Sequence, residues 1–253
     1  MKPATRTRIG TAGWGLPPGE QDRFPPGASH LERYAAIFDA AEINSTFHRS
    51  HRASTYERWA ASVPARFRFS LKLPRAITHD ARLVGTARRM DEFFAEIAPL
   101  GKKAGCLLVQ LPPSLEWDGR VFHRFVAALR ARYAGPVALE PRHASWFSAA
   151  VESALERERV ARVAADPPRA PGGGEPGGWR GLAYYRSHGS PRVYYSSYDE
   201  RFLDDMAKRL RAHRGARIDC WCIFDNTTLG AGTGNALRVL EMLRAARAAR
   251  NPD

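Results

Sequence analysis

At 253 residues, with 44% hydrophobic and 26% charged residues, the chain has the composition of a folded protein with a sizeable core, which excludes a disordered chain. No apolar stretch approaches the roughly 18–20 residues of a membrane span, and three cysteines (Cys106, Cys220, Cys222) are too few and too odd in number for a disulfide framework. The net charge of +13 favours anionic partners, nucleic acid among them, although a bias toward Arg and Ala that leaves Arg on solvated helix faces explains the same number.

Met1 to Arg8 is basic but leads into a strand pattern and not an apolar signal core, so the expected location is the cytoplasm. Arg8 to Trp14 reads as a short strand, followed by Gly/Pro-rich loops at 15–19 and 24–27. Ser29 and Glu32 form a capping box for a helix with Leu31, Tyr34, Ala35 and Phe38 on its inner stripe. Ala41 to Asn44 is a second strand whose period of two puts Glu42 and Asn44 on one face. Two polar groups on one face of a buried strand are costly unless satisfied, so that face should look into a site. Ser54 and Glu57 suggest a second capping box, for a helix carrying Tyr56, Trp59, Ala60 and Val63. Phe67 to Leu73 alternates strictly, as a strand does, and delivers Lys72 just before Pro74 and a turn at Ile77-Thr78-His79.

Met90, Phe93, Phe94 and Ile97 mark a helix, and Gly105 to Leu111 a strand closed by Gln110 and stopped by Pro112-Pro113. Asp118 caps a helix with Val121, Phe122, Phe125, Val126 and Leu129 inward. Pro136 to Leu139 is a buried strand followed at once by Glu140, Arg142 and His143; Pro141 cannot donate to a ladder, so the chain turns outward there. A helix from about Ser148 to Arg157 precedes a strand from Val160 to Ala165 that ends at Asp166. Residues 167–181 are Gly/Pro-rich with no helical period, so the crossover helix that a parallel connection usually carries is missing there. Leu182 to Arg186 is a seventh strand, continuing into Ser187-His188-Gly189. Asp199 starts a helix with Phe202, Leu203, Met206 and Leu210. Asp219 to Phe224 is the eighth strand, closed by Asp225-Asn226, and the last helix runs from about Asn235 with Leu237, Leu240 and Leu243.

Eight strands alternating with helices predict an α/β fold: one TIM-like (β/α)8 barrel domain over residues 1–253, irregular in lacking the helix after strand six. An open doubly wound sheet is the rival, weakened by the absence of a Rossmann glycine signature after the first strand. In a barrel the C-terminal strand ends converge on one mouth. Here they carry Trp14, Glu42, Asn44, Lys72, Gln110, Glu140, Arg142, His143, Asp166, Arg186, His188, Asp225 and Asn226. Polar groups at nearly every strand end must be satisfied or used, which points to a functional pocket.

Several of these segments together resemble a known family. Ile9-Gly10-Thr11-Ala12-Gly13-Trp14, Glu42-Ile43-Asn44-Ser45-Thr46-Phe47, Phe69-Ser70-Leu71-Lys72 with Thr78-His79, Gln110-Leu111-Pro112-Pro113, Glu140-Pro141-Arg142-His143 with Trp146, and Arg186-Ser187-His188-Gly189 are similar, in order, to the YecE-like family, domain of unknown function number 72. The resemblance implies a TIM-like barrel and no established reaction. Two positions depart from the pattern: His48 follows Phe47 where the family usually has Tyr, and Asp225 stands where it tends to have Asn.

Three chemistries fit the strand ends. In acid–base work, Glu42 or Glu140 is the base, His143 or His188 the acid, and Lys72 or Arg142 steadies developing negative charge. The bland alternatives are a structural Glu140–Arg142 ion pair and a Lys72 that merely neutralises Glu42. For anion binding, Arg186, His188, Gly189 and Arg192 join the glycines of residues 230–235, where Gly232 and Gly234 let backbone N–H groups approach a ligand at a helix start; a plain capping turn is the alternative. Asn44, Gln110 and Asn226 would complete the pocket, with Trp14 and Trp146 stacking on a sugar or base or simply packing. For a divalent metal, the one candidate cofactor, His79, Asp166 and Asp225 are donors in reach, although no ligand spacing diagnostic of metal occurs. The expected function is an enzyme, of phosphoester-hydrolase type, using acid–base chemistry on a phosphorylated or nucleic-acid-like anion. The alternatives are a non-catalytic polyanion-binding protein, and a sugar-phosphate isomerase or aldolase with Lys72 as Schiff-base residue.

Overall fold

The computed structural model describes residues 5–248. In chain order the elements are β1 (Thr7–Thr11), α1 (His30–Ile37), β2 (Ala40–Ile43), α2 (Ala53–Ala61), β3 (Arg68–Lys72), α3 (Ala87–Ile97), β4 (Ala104–Gln110), α4 (Gly119–Arg130), β5 (Val137–Glu140), α5 (Ala149–Arg157), β6 (Val160–Arg162), β7 (Ala164–Asp166), β8 (Gly177–Gly178), β9 (Leu182–Ser187), α6 (Glu200–Gly215), β10 (Asp219–Phe224) and α7 (Ala231–Ala248). One sheet has the order β1-β10-β9-β7 and the other β2-β3-β4-β5-β6-β8. Every pairing is parallel except β6 with β8.

The two sheets meet at both sides. Ala12 forms a parallel bridge with Glu42, and the Gly13 N–H donates to the Glu42 carbonyl at 2.8 Å. The Tyr34 hydroxyl accepts from the Thr11 N–H at 2.8 Å and donates to the Ala40 carbonyl at 3.0 Å. Gly10 is required at this seam, because a Cβ there would lie 2.0 Å from the Ala40 carbonyl oxygen. On the other side β6 and β7 are one run of chain, interrupted only at Val163, whose N–H donates to the Leu139 carbonyl at 2.9 Å. Its first half pairs with β5 and its second with β9.

The parallel strands are buried on both faces, as strands covered by helices must be. Alternation then divides the core in two. Leu107, Val109, Val137 and Leu139 join the large cluster that includes Phe93, Phe125 and Leu155 of the helices. Their neighbours Leu108 and Ala138 join a separate, smaller cluster with Ala161, Tyr184 and Trp221.

Four helices begin where side-chain caps predict. Ser29, Asp118, Ser148 and Asp199 each accept a backbone N–H of the first turn. Ser54 does not cap: α2 already starts at Ala53, after Arg52, and has no side-chain cap. Two further boundaries differ from expectation. Asn44 turns to αR backbone straight after β2 and opens a 3₁₀ turn, so it leaves the face that carries Glu42. The glycines at 232 and 234 lie inside the first turn of α7, which starts at Ala231 and not near Asn235.

Residues 167–181 hold no helix. Their two-residue strand β8 extends the β6 ladder, and Arg162 ties the segment down by donating to the Gly172 and Glu175 carbonyls, both at 3.2 Å. No described helix is long and apolar enough to cross a membrane.

Candidate functional site

Five parallel strands deliver charge to one place, and β4 adds Gln110. The side chain of Arg186, at the end of β9, is the hub and is 1% exposed. Its Nη2 and Nε reach both oxygens of Glu42 at 2.7 and 3.1 Å. Its Nη1 lies 3.3 Å from Glu140 Oε2 and its Nη2 3.0 Å from Asp225 Oδ2. Three carboxylates from β2, β5 and the end of β10 thus converge on one guanidinium, whose planar fork suits several acceptors at once. His188 bridges two of them, with Nδ1 at 2.9 Å from Asp225 and Nε2 at 2.9 Å from Glu140. Arg142 Nη2 adds a 2.6 Å contact to Glu140, and Gln110 Nε2 donates to the same carboxylate at 2.9 Å. Tyr184 donates to Glu42 at 3.1 Å and lies 2.8 Å from Ser70 Oγ.

The electrostatics follow from this crowding. Burial alone would raise the Glu140 carboxyl, but His188, Arg142 and Arg186 hold it well below the usual carboxylate range. Asp225 behaves likewise, burial being overcome by Arg186 and His188. Arg186 is pushed the other way: burial opposes its charge, while Asp225, Glu42 and Glu140 lock the proton on.

Lys72 differs from all of these. It ends β3 beside the cluster and is 6% exposed, yet its ammonium hydrogen-bonds to no described residue. Its Nζ lies 4.1 Å from the centre of the Phe47 ring. Burial, with Arg186 second, lowers its pKa to about 8 against the pull of Glu42, Glu140 and Asp225. Near the cluster, Arg142 Nε, Asn44 Oδ1 and Asn226 Oδ1 are buried without partners. The cluster is nearly closed to solvent. Behind Phe47 lies a hollow of about 350 Å³ that also meets Thr46, His48, Arg49 and Arg89.

A family model described as a protein of unknown function, DUF72, matches residues 8–253. The chain belongs to the DUF72 family. It is 25% identical over 271 residues to the UPF0759 protein YunF of Bacillus subtilis, covering 93% of this chain and 94% of that one. It is 33% identical over 86 residues to the UPF0759 protein YecE of Escherichia coli K12, a stretch covering 34% of this chain and 32% of that one. Two crystal structures of DUF72 proteins share its fold. The one from Enterococcus faecalis has a TM-score of 0.77 at 19% identity, covering 94% of this chain and 96% of that one. The one from Thermotoga maritima has a TM-score of 0.74 at 23% identity, covering 94% and 100%.

Within this DUF72 chain, Glu42, Lys72, Gln110, Glu140, Arg142, Arg186, His188 and Asp225 come together, and several other strand-end residues do not. His143 turns away: its Nδ1 accepts the Ser145 N–H at 3.2 Å and so caps the turn at Ala144–Phe147. Trp146 is a core residue, 1% exposed, donating Nε1–H to the Leu115 carbonyl at 2.8 Å and lying edge-on to Trp117. Trp14 is half-buried between Trp59 and Phe69. Asn226 donates to the Ser196 carbonyl and to Asn235 Oδ1, both at 2.8 Å, which fixes the start of α7.

The expected anion loop does not assemble. The Gly232 N–H is taken by the Asn226 carbonyl at 2.9 Å, Gly234 faces the Glu20 carboxylate, and Arg186 points into the carboxylate cluster. Nor do His79, Asp166 and Asp225 form a metal centre. His79 packs edge-on to Phe47 with Nδ1 2.9 Å from Thr78 Oγ1, and Asp166 accepts from the Tyr198 hydroxyl at 2.8 Å. Among the described residues no three His, Cys, Asp or Glu side chains are grouped to hold a metal ion. Sequence reasoning missed Tyr184, Ser70 and Phe47. For the first two the signal existed, since period two puts Tyr184 on the face of Arg186 and Ser70 on that of Lys72.

Proposed function

We propose that the two sheets are parts of one TIM-like (β/α)8 barrel domain, and that the protein is an enzyme acting at its mouth by acid–base chemistry on a small anionic substrate. The Ala12–Glu42 bridge, the strand shared by β6 and β7, and the separate inner cluster around Leu108, Ala138 and Trp221 support closure.

The observation that carries the enzymatic reading is Lys72, a residue only 6% exposed whose ammonium donates to no described acceptor. A cation held that way is unfavourable for stability, and a hydrophobic residue of similar length would relieve it. The three carboxylates, by contrast, are each paired with Arg186 and act as scaffold. That leaves Lys72 Nζ and Arg142 Nε as donors without a protein acceptor, and cationic donors of this kind suit an anion or a developing oxyanion. In this scheme Lys72 moves the proton, Arg142 holds the anionic group, and His188, clamped between Glu140 and Asp225, passes protons within the cluster. Phosphoesters are the first substrates to try.

The test is a panel of phosphoesters, sugar phosphates and carboxylic acids, with and without added divalent metals, followed by NMR for product. Turnover that is lost in Lys72→Met and Glu140→Gln variants supports the reading. Turnover unchanged in both variants rejects it.

A further inference from the structure

We infer that Lys72 is a covalent nucleophile, whose ε-amino group condenses with the carbonyl carbon of a small aldehyde or ketone that also carries a carboxylate or phosphate. This rests on the barrel mouth being the active site, as proposed above, and narrows its substrate to carbonyl compounds.

Composition supplies the first argument. Of the 39 Lys and Arg residues only five are lysine: Lys2, Lys72, Lys102, Lys103 and Lys208. Among the described residues the other buried Lys or Arg positions are all arginines, namely Arg8, Arg162 and Arg186. A cation needed only for charge could be Arg here as elsewhere, whereas only Lys can give up its proton near neutrality and attack a carbonyl. Geometry supplies the second. Lys103 donates to the Val63 and Pro64 carbonyls and Lys208 pairs with Asp204 and Asp205, while Lys102 is exposed. Lys72 alone of the four described lysines is buried with its nitrogen unengaged, resting on an aromatic face. With its pKa near 8 it holds on the order of a hundredfold more free amine at neutral pH than an ordinary lysine.

The step balances without an outside oxidant or reductant. The amine lone pair forms a C–N bond to the carbonyl carbon as the C=O π pair moves to oxygen, and one proton passes from the nitrogen to that oxygen, giving a neutral carbinolamine. The C–O bond then breaks, the hydroxyl leaving as water with a proton from His188, and nitrogen forms the C=N bond. The product is a protonated imine, an electron sink that acidifies the adjacent carbon; Arg142 Nε–H binds the anionic end of the substrate.

Borohydride trapping tests this on the wild-type protein. The protein is incubated with pyruvate or with dihydroxyacetone phosphate, reduced with sodium borohydride, digested and mapped by mass spectrometry. The expected result is a reduced adduct on Lys72 that forms on the order of a hundredfold faster than on Lys102 or Lys208, and that needs both carbonyl and borohydride. The pyruvate and dihydroxyacetone phosphate arms separate carboxylate from phosphate recognition. Adducts spread evenly over the exposed lysines, or none on Lys72, overturn the inference. If Lys72-dependent turnover is found in the substrate panel and no adduct forms, Lys72 works by proton transfer: the covalent step falls and the acid–base reading stands.

Discussion

Lys72 rests its ammonium nitrogen 4.1 Å from the centre of the Phe47 ring. A cation–π contact of this kind is worth about 0.5–2 kcal/mol, more when desolvated. Replacing Phe47 with Leu removes the ring's negative face and keeps the burial. The Lys72 pKa should then fall by up to about 1.5 units, since one unit corresponds to about 1.4 kcal/mol. Titration of the variant by lysine-selective NMR checks this.

Stability should depend on pH through the same residue. The folded-state pKa of about 8 lies below the ordinary 10.5, so between those values the unfolded chain binds more protons than the folded one. Stability from this group therefore rises as pH rises from about 8 toward 10.5, by up to about 3 kcal/mol in total. A Lys72→Met variant should lack that rise and be at least as stable as wild type at pH 7. Urea unfolding of both proteins at pH 7 and 9.5 makes the comparison.

The carboxylate cluster predicts the opposite limb. Glu140 is held well below its usual range, so its contribution is full above the unfolded value of about 4.3 and is lost as pH falls through the folded one. Removing the hub is worse than acidification. Arg186→Met leaves Glu42, Glu140 and Asp225 buried without their shared cation, and breaking a buried pair costs about 3–5 kcal/mol. Unfolding midpoints in urea at pH 7 should show the loss.

Trp146 should behave as core. Trp146→Ala removes its Nε1–H bond to Leu115 and its packing on Trp117, at a cost of about 3–5 kcal/mol. Trp146→Phe keeps most of the packing and should lose less. Neither variant, where folded, should change the apparent affinity for a substrate of the panel. A selective rise in KM would place the indole at the ligand after all.

The alternation of strands and helices was legible because several parallel strands, β4 and β5 among them, are short apolar runs closed by a polar residue and a proline. Ser29, Asp118, Ser148 and Asp199 marked their helices because a side-chain oxygen ahead of an apolar stripe has one common use. The failures have equally local causes. Asn44 continues the alternation of β2 in sequence, but the backbone turns at that residue, and period two says nothing about where a strand stops. The glycines before Asn235 read as loop on propensity, yet tertiary packing against residues 15–20 and Asn226 holds them helical. His143 and Trp146 sit in a charged, aromatic stretch whose side chains diverge once the chain turns at Pro141; only coordinates could separate Arg142, which points in, from its neighbours.

The most direct measurement is the titration of Lys72 itself. With five lysines in the chain, ¹³C labelling at the lysine Cε gives a spectrum of few resonances, and Lys72→Arg assigns the one of interest. A single lysine titrating near pH 8, missing from the variant, is the predicted result. Every lysine titrating above pH 10, or the Lys72 signal moving to high pH with the rest, would show that the strand-end amine is an ordinary counter-charge and contradict the account.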